Sequence, residues 1–254
     1  MSLEFTVLGS GTSVPDPERG PAGFLVRTSH GAWLVDGGTG TLQRCMQAGV
    51  DPRRLSGGVY SHHHPDHCAD LVPLLFAMRV GPPPRAADYP IWGGEGLASL
   101  VAGLQSTWGK WITPGTGQLR VNELPLEVPS EVQLAPDLFL RTRPAAHSAG
   151  ALHLQFASGS HRVVFSGDTG PSGELARLAE GADLLVCECA GSDEEPVGGH
   201  LYPSAIAELV AEARPHQVWL THMYPHVDPA IAVETVARTG IPTRHASDLD
   251  RWSA

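Results

Sequence analysis

Apolar residues along the chain fall into short runs, most closed by glycine, proline or a polar turn. Leu3 to Leu8 predicts a strand, with Gly9, Ser10 and Gly11 turning after it. Gly23 to Arg27 and Ala32 to Asp36 predict a hairpin across the polar Thr28 to Gly31 turn. Thr41 to Ala48 carries apolar residues at helical spacing, and Gly49 suits a C-terminal stop. Leu55 to Tyr60 is a short apolar strand that delivers the chain into a run of histidines. Cys68 to Val80 predicts a helix ended by Pro82 to Pro84, because proline clashes with the preceding turn and lacks the N–H donor. Pro90 to Trp92 reads as a brief strand and Leu97 to Gln105 as a helix. Trp108 to Gln118 places two tryptophans among Gly, Thr and Pro, which is loop chemistry suited to a lid or an interface.

The second half repeats this rhythm. Strands are predicted at Leu138 to Arg143, Ala151 to Phe156, Arg162 to Ser166, Leu184 to Cys187 and Val218 to Leu220. Helices are predicted at Gly173 to Glu180, Ser204 to Arg214 and Ala230 to Thr239, with a short segment around Thr243 to Asp248. Two such halves point to the α/β class, as two mixed β-sheets face to face with helices outside, an αββα sandwich of four layers. A length of 254 residues fits one domain over 1–254.

Composition narrows the function classes. Hydrophobic residues make up 42% and charged residues 17%, a globular balance. No window offers about 18 uninterrupted apolar residues and no basic leader precedes the first strand, so a cytoplasmic protein without a membrane span is expected. Cys45, Cys68, Cys187 and Cys189 lack zinc-ribbon spacing and read as buried free thiols. The net charge is −10 and the only lysine is Lys110. A protein that grips a long nucleic acid carries a basic stripe, so this balance favours a small anionic substrate.

The thirteen histidines are unevenly spread. His62, His63, His64, Asp66 and His67 crowd into one short stretch directly after an apolar strand. Imidazole and carboxylate together suit zinc and neighbouring first-row metals, and His-x-His-x-Asp-His is a specific spacing for them.

With that motif in place, the chain resembles the metallo-β-lactamase superfamily, whose later motifs also occur here in order. His147 in AAHSAGALHLQF, Asp168 in VVFSGDTG and His222 in VWLTHMYP match its remaining metal ligands. Taken singly, each late residue also suits a structural role, and SGDTG a helix N-cap. The resemblance implies two zinc ions, with manganese or iron as alternatives. It places His62, His64 and His147 on one metal, Asp66, His67 and His222 on the other, and Asp168 between them. Asp36 in LVDGGTG matches an aspartate that orients a metal-binding histidine, a role compatible with an Asp-Gly turn.

GSGTSVP, LVDGGTG, YPIWGGEGL and the glutamate of CECA are similar to the branch that holds ribonuclease Z and smaller phosphodiesterases such as a cyclic-phosphate hydrolase. His200 in GGHLYPSAIAELV matches the branch histidine that stabilises the attacked phosphate or protonates the departing oxygen, the alternative being a surface-loop histidine. Asp66 is also a candidate to orient the attacking water. Ribonuclease Z carries a long Gly- and Pro-rich arm between the positions of His147 and Asp168, where this chain has room for a single hairpin. The cysteine-based extra zinc site of the cyclic-phosphate enzyme is also missing. The resemblance therefore implies a metal-dependent hydrolase of a small phosphodiester, cyclic nucleotide or short nucleic-acid end, with extended nucleic-acid binding disfavoured and a homodimer as the partner state to test. The alternatives are a tRNA 3′-processing endonuclease, a carbonyl, lactone or β-lactam hydrolase, and a metal-dependent binding module without turnover. His63, His153 and His161, and His226 beyond His222, are read as structural, and His30, His216 and His245 as surface positions.

Overall fold

The computed structural model describes residues 2–126 and 129–254. The first half supplies β1 (Glu4–Gly9), β2 (Gly23–Thr28), β3 (Gly31–Gly37), α1 (Thr41–Gln47), β4 (Gly57–Val59), α2 (Pro65–Cys68), α3 (Leu71–Val80), β5 (Tyr89–Gly93), α4 (Leu97–Trp108) and β6 (Leu119–Glu123). The second supplies β7 (Ser130–Ala135), β8 (Leu138–Pro144), β9 (Leu152–Ser158), β10 (His161–Phe165), α5 (Gly173–Ala179), β11 (Leu184–Glu188), α6 (Pro203–Ala213), β12 (Val218–Thr221), α7 (Pro229–Ala237), β13 (Thr243–His245) and β14 (Arg251–Ser253). One seven-stranded sheet runs β14-β1-β2-β3-β4-β5-β6 and the other β13-β12-β11-β10-β9-β8-β7. Both are mixed: β1, β2 and β3 are antiparallel and β3 to β6 parallel, while β8, β9 and β10 are antiparallel and β10 to β13 parallel.

The layers follow from period-two alternation on each strand. Phe5, Phe24 and Val35 of the first sheet meet Leu140, Phe156, Phe165 and Val186 of the second in a core between the sheets. Phe24 bridges the two, with ring centroids 5.4 Å from Phe5 and 4.5 Å from Phe165. On the outer face of the first sheet, Leu8, Leu25 and Leu34 meet Cys45, Leu74 and Leu97 from α1, α3 and α4. On the outer face of the second, Val164, Leu185 and Leu220 meet Leu175, Ile206 and Val236 from α5, α6 and α7. These three apolar layers separate four layers of structure, the predicted αββα sandwich.

Several local expectations are corrected. The helix predicted over Cys68 to Val80 is two helices, α2 and α3, parted where the Asp70 carboxylate turns aside to accept from the backbone N–H of Leu42. α2 starts at Pro65, so Asp66 and His67 are helical. α4 runs on through Trp108, and Gly109–Ile112 forms a 3-10 turn that buries Ile112 beside α3. Trp108 to Ile112 therefore belongs to the outer helix layer, whereas Thr113 to Gln118 is loop as expected, and Trp108 and Trp111 both stay exposed. β6, β7 and β14 were not predicted. His245 is half-buried rather than on the surface, and burial with nearby Arg19 pushes its imidazole down to about 4.

All four cysteines are free and buried, and burial raises the Cys45 and Cys68 thiols to about 12 and about 11. No helix among the described residues is long and apolar enough to cross a membrane.

Candidate metal centre

Strand direction places the site. β8 and β10 both run antiparallel to β9, and β10, β11 and β12 are parallel, so the C-terminal ends of β8, β10, β11 and β12 share one edge of the second sheet. Their following segments carry His147, Asp168, the terminal Glu188 of β11, and His222. β4 of the facing sheet feeds His62 and His64 into the same edge, and α2 adds Asp66 and His67.

Tight backbone contacts lock this edge. A Cβ on Gly38 would lie 2.2 Å from the Asp66 carbonyl oxygen, so α2 packs directly on the loop after β3. A Cβ on Gly94 would lie 1.9 Å from the Gly150 oxygen, which seats the His147 loop against the YPIWGGEGL segment. Asp36 and His222 hold φ of 54 and 56°, a left-handed conformation that disfavours side chains. The His222 N–H donates to the Ser10 carbonyl at 2.8 Å, so the GSGTSVP turn fixes that conformation.

All seven residues proposed as ligands converge. His62, His64, His147 and Asp168 offer ligand atoms within 4.8 Å of one another, as do Asp66, His67 and His222. His64 Nδ1 lies 3.2 Å from His147 Nε2, and His67 Nε2 lies 3.4 Å from His222 Nε2. Asp168 Oδ2 stands 3.7, 3.3 and 3.5 Å from the Nε2 atoms of His62, His67 and His222, which places it between the groups. His62, His67, Asp168 and His222 are buried, whereas His64, Asp66 and His147 lie nearer solvent, so the cluster opens on that side.

The surrounding hydrogen bonds select the tautomers. His67 Nδ1 donates to Asp36 Oδ2 at 2.7 Å and His147 Nδ1 donates to the Gly199 carbonyl at 2.9 Å. Ser61 Oγ donates to Asp36 Oδ2 at 2.7 Å, which leaves its oxygen to accept from His62 Nδ1 at 3.1 Å. In each ring the Nε2 lone pair then points into the cluster. His62 Nε2 is buried with no hydrogen-bond partner at all, a cost that a bound cation removes.

Charge makes the same demand. Asp36, Asp168 and Glu188 are buried, and their ionic partners are imidazoles rather than arginine or lysine. Burial would depress the His67 imidazole, but Asp168 and Asp36 override it and hold it well above 6.5. A proton or a cation answers that pull equally. Burial, with His67 adding to it, drives His62 far down, and burial lowers His64 and His147. The neutral rings of His62, His64 and His147, with the Asp168 carboxylate, offer ligand atoms within 4.8 Å of one another and fit a metal: ligand atoms about 2.0–2.1 Å from one tetrahedral zinc stand about 3.4 Å apart.

Beside the cluster, His200 Nδ1 donates to Glu188 Oε1 at 2.9 Å. Burial works against a charged His200, yet this bond raises its imidazole above 6.5. Glu188 is buried and also accepts from the Thr169 N–H at 2.7 Å, and burial raises its carboxyl. The His200 ring is nearly parallel to His222, with centroids 5.8 Å apart, and lies 4.9 Å from His147. The partnership of Glu188 with His200 was missed in the sequence, where Glu188 served only as a motif letter. A carboxylate ending a strand beside SGDT was the available signal.

Of the other histidines, His153 donates from Nδ1 to the Ser166 carbonyl at 2.6 Å and is fully buried. His30 pairs with Asp137, and His63 stays outside the cluster.

The fold and this centre define the class. Residues 17–217 match the metallo-beta-lactamase superfamily (Lactamase_B), and the chain belongs to that superfamily. Among its relatives, it is 33% identical to a ribonuclease Z of Mycobacterium bovis (strain BCG Pasteur) over 199 residues, covering 72% of this chain and 69% of that one. Among solved structures, it superposes on the metallo-beta-lactamase fold protein YhfI of Bacillus subtilis with a TM-score of 0.86, 22% identity and 100% coverage of both chains. A diphosphatase of the PhnP family aligns with a TM-score of 0.73 and 16% identity, over 100% of this chain and 98% of that one.

Proposed function

We propose that this chain is a dinuclear metal-dependent phosphodiesterase acting on a small phosphodiester, a cyclic nucleotide or a short nucleic-acid end. His62, His64 and His147 would hold one cation and Asp66, His67 and His222 the other, with Asp168 shared. Zinc suits this donor set best, with manganese or iron as alternatives. When bound, two divalent cations supply Lewis acidity toward phosphoryl oxygens and acidify a water near neutral pH.

The chain's own residues do the rest. Asp36 fixes the His67 ring, and Asp66 orients the attacking water. The observation that carries the reading is the Glu188–His200 pair, 2.9 Å apart at the edge of the cluster. Glu188 keeps a proton on His200 Nδ1 and stabilises the doubly protonated ring, so His200 can deliver its Nε2 proton to a departing ester oxygen.

The relative named ribonuclease Z supports the phosphodiester class. The −10 charge, the single lysine and the short β9–β10 hairpin favour a small substrate over a folded RNA. Protein carrying two equivalents of zinc or manganese should cleave bis(p-nitrophenyl) phosphate and nucleoside cyclic phosphates faster than a tRNA precursor with a 3′ trailer. Cleavage of lactones or thioesters with no phosphodiester turnover would reverse the reading.

A further inference from the structure

Behind the last histidine of the cluster the chain carries aromatic rings that neither the metal centre nor the Glu188–His200 pair uses. His200 and His222 stand nearly parallel, 13° apart in plane and 5.8 Å between centroids. Tyr224 stands nearly perpendicular to both, 6.2 Å from His200 at 90° and 6.2 Å from His222 at 83°. Its other neighbour is the His226 ring, nearly parallel to it at 14° and 6.3 Å away. Tyr224 is half-buried and His226 exposed. An aromatic wall thus leads from the proposed proton donor out to solvent.

The position of this wall gives it meaning. Tyr224 follows His222 by two residues, and His222 is pinned through its backbone to Ser10, so the segment starts from a fixed point. At its other end, Asp228 caps α7 by accepting from the Ala230 and Ile231 N–H groups, and Val227 is buried in the outer core. Tyr224 and His226 therefore sit on a short loop tied down at both ends. Flat rings held in this way lose little freedom when a planar group stacks on them.

We infer that Tyr224 and His226 form a stacking platform for a nucleobase, so that the phosphodiester cleaved at this site belongs to a nucleotide. The inference rests on the phosphodiesterase reading and adds the chemistry of the group attached to the phosphate. Stacking on an aromatic side chain accepts every base, so a purine gains most through its larger face and no base is excluded. The platform lies on the side of His200 and His222, which sets the nucleoside next to the proton donor.

Binding measured by calorimetry tests this without relying on turnover. Zinc-loaded protein should bind adenosine 5′-monophosphate roughly 5- to 150-fold more tightly than ribose 5-phosphate, which keeps the sugar phosphate and lacks the base. Tyr224→Ala should bring the two ligands to within about twofold of one another, and Tyr224→Phe should restore the difference. His226→Ala, at an exposed position, should narrow the gap without disturbing the fold. Equal affinity for both ligands in the wild type overturns the inference, as does a Tyr224→Ala variant that weakens both ligands alike. Failure of the wild type to cleave any phosphodiester while it still prefers the nucleotide would instead remove the catalytic reading and leave the platform standing.

Discussion

Asp36 and His67 lie 31 positions apart in the chain and 2.7 Å apart in space, carboxylate to Nδ1. The same carboxylate accepts from the Ser61 N–H and Oγ, each at 2.7 Å, and Ser61 in turn holds His62. One buried aspartate therefore aims two imidazoles. Asp36→Ala should lower zinc affinity about 10- to 100-fold, since the orienting partners of ligands carry that much. Competition with a chromophoric chelator measures it, and unchanged affinity in a folded variant would deny Asp36 that role.

His200→Ala should reduce kcat on a phosphodiester by about 100- to 10,000-fold, the usual contribution of a positioned proton donor. Glu188→Gln should fall in the same direction by less. Because Glu188 acts through His200, the double variant should be no slower than His200→Ala alone. Two metals per chain should persist throughout, and loss of metal would reassign the pair to structure.

Buried carboxylates without arginine or lysine partners predict a native state that a bound cation stabilises. Stripping metal with a strong chelator should lower Tm by on the order of 10 °C, because ligand at a thousandfold above Kd adds about 4 kcal/mol. Equal melting of stripped and loaded protein, confirmed by metal analysis, would count against tight sites.

His153 gives a separate pH dependence away from the metal cluster. Burial lowers its imidazole from 6.5 to about 4. Between those values the unfolded chain takes up a proton that the native state refuses. Stability should therefore fall as pH drops from about 6.5 to about 4, by about 3 kcal/mol from this group, and be unaffected by it above that window. His153→Asn keeps a donor for the Ser166 carbonyl and cannot titrate, so its Tm should decline less across the same range.

Phe24 joins the two sheets through Phe5 and Phe165. Phe24→Ala should cost about 3–5 kcal/mol in denaturant titrations, the usual range for removing a core phenyl. Since the two halves of the cluster arrive from opposite sheets, zinc affinity should drop with it.

Most of the first sheet was legible because its central strands are short apolar runs, buried on both faces, that end in Gly or polar turns. β14 was hidden because Arg251, Trp252 and Ser253 have no apolar pattern, and only pairing with β1 makes them a strand. β6 and β7 sit at sheet edges, half exposed, so their weak alternation in LRVNE and SEVQLA lost to the surrounding prolines. The break between α2 and α3 depends on the Asp70 carboxylate reaching the start of α1, a tertiary choice that overrides a continuous helical pattern. The cluster was readable for the opposite reason: His62, His64, Asp66 and His67 are local in sequence, and their distant partners each follow a predicted strand. The Glu188–His200 pair joins the last residue of β11 to the segment before α6, which share no motif, and the parallel order of β10 and β11 brings Glu188 to the Thr169 N–H next to Asp168.

The β9–β10 hairpin has its two ends at the cluster and its exposed two-residue tip, Gly159 and Ser160, at the far end. His147 enters before it and Asp168 leaves after it, so extra residues spliced into the tip would grow away from both. Reach toward larger substrates can thus be altered by engineering one remote turn while the reacting groups keep their places.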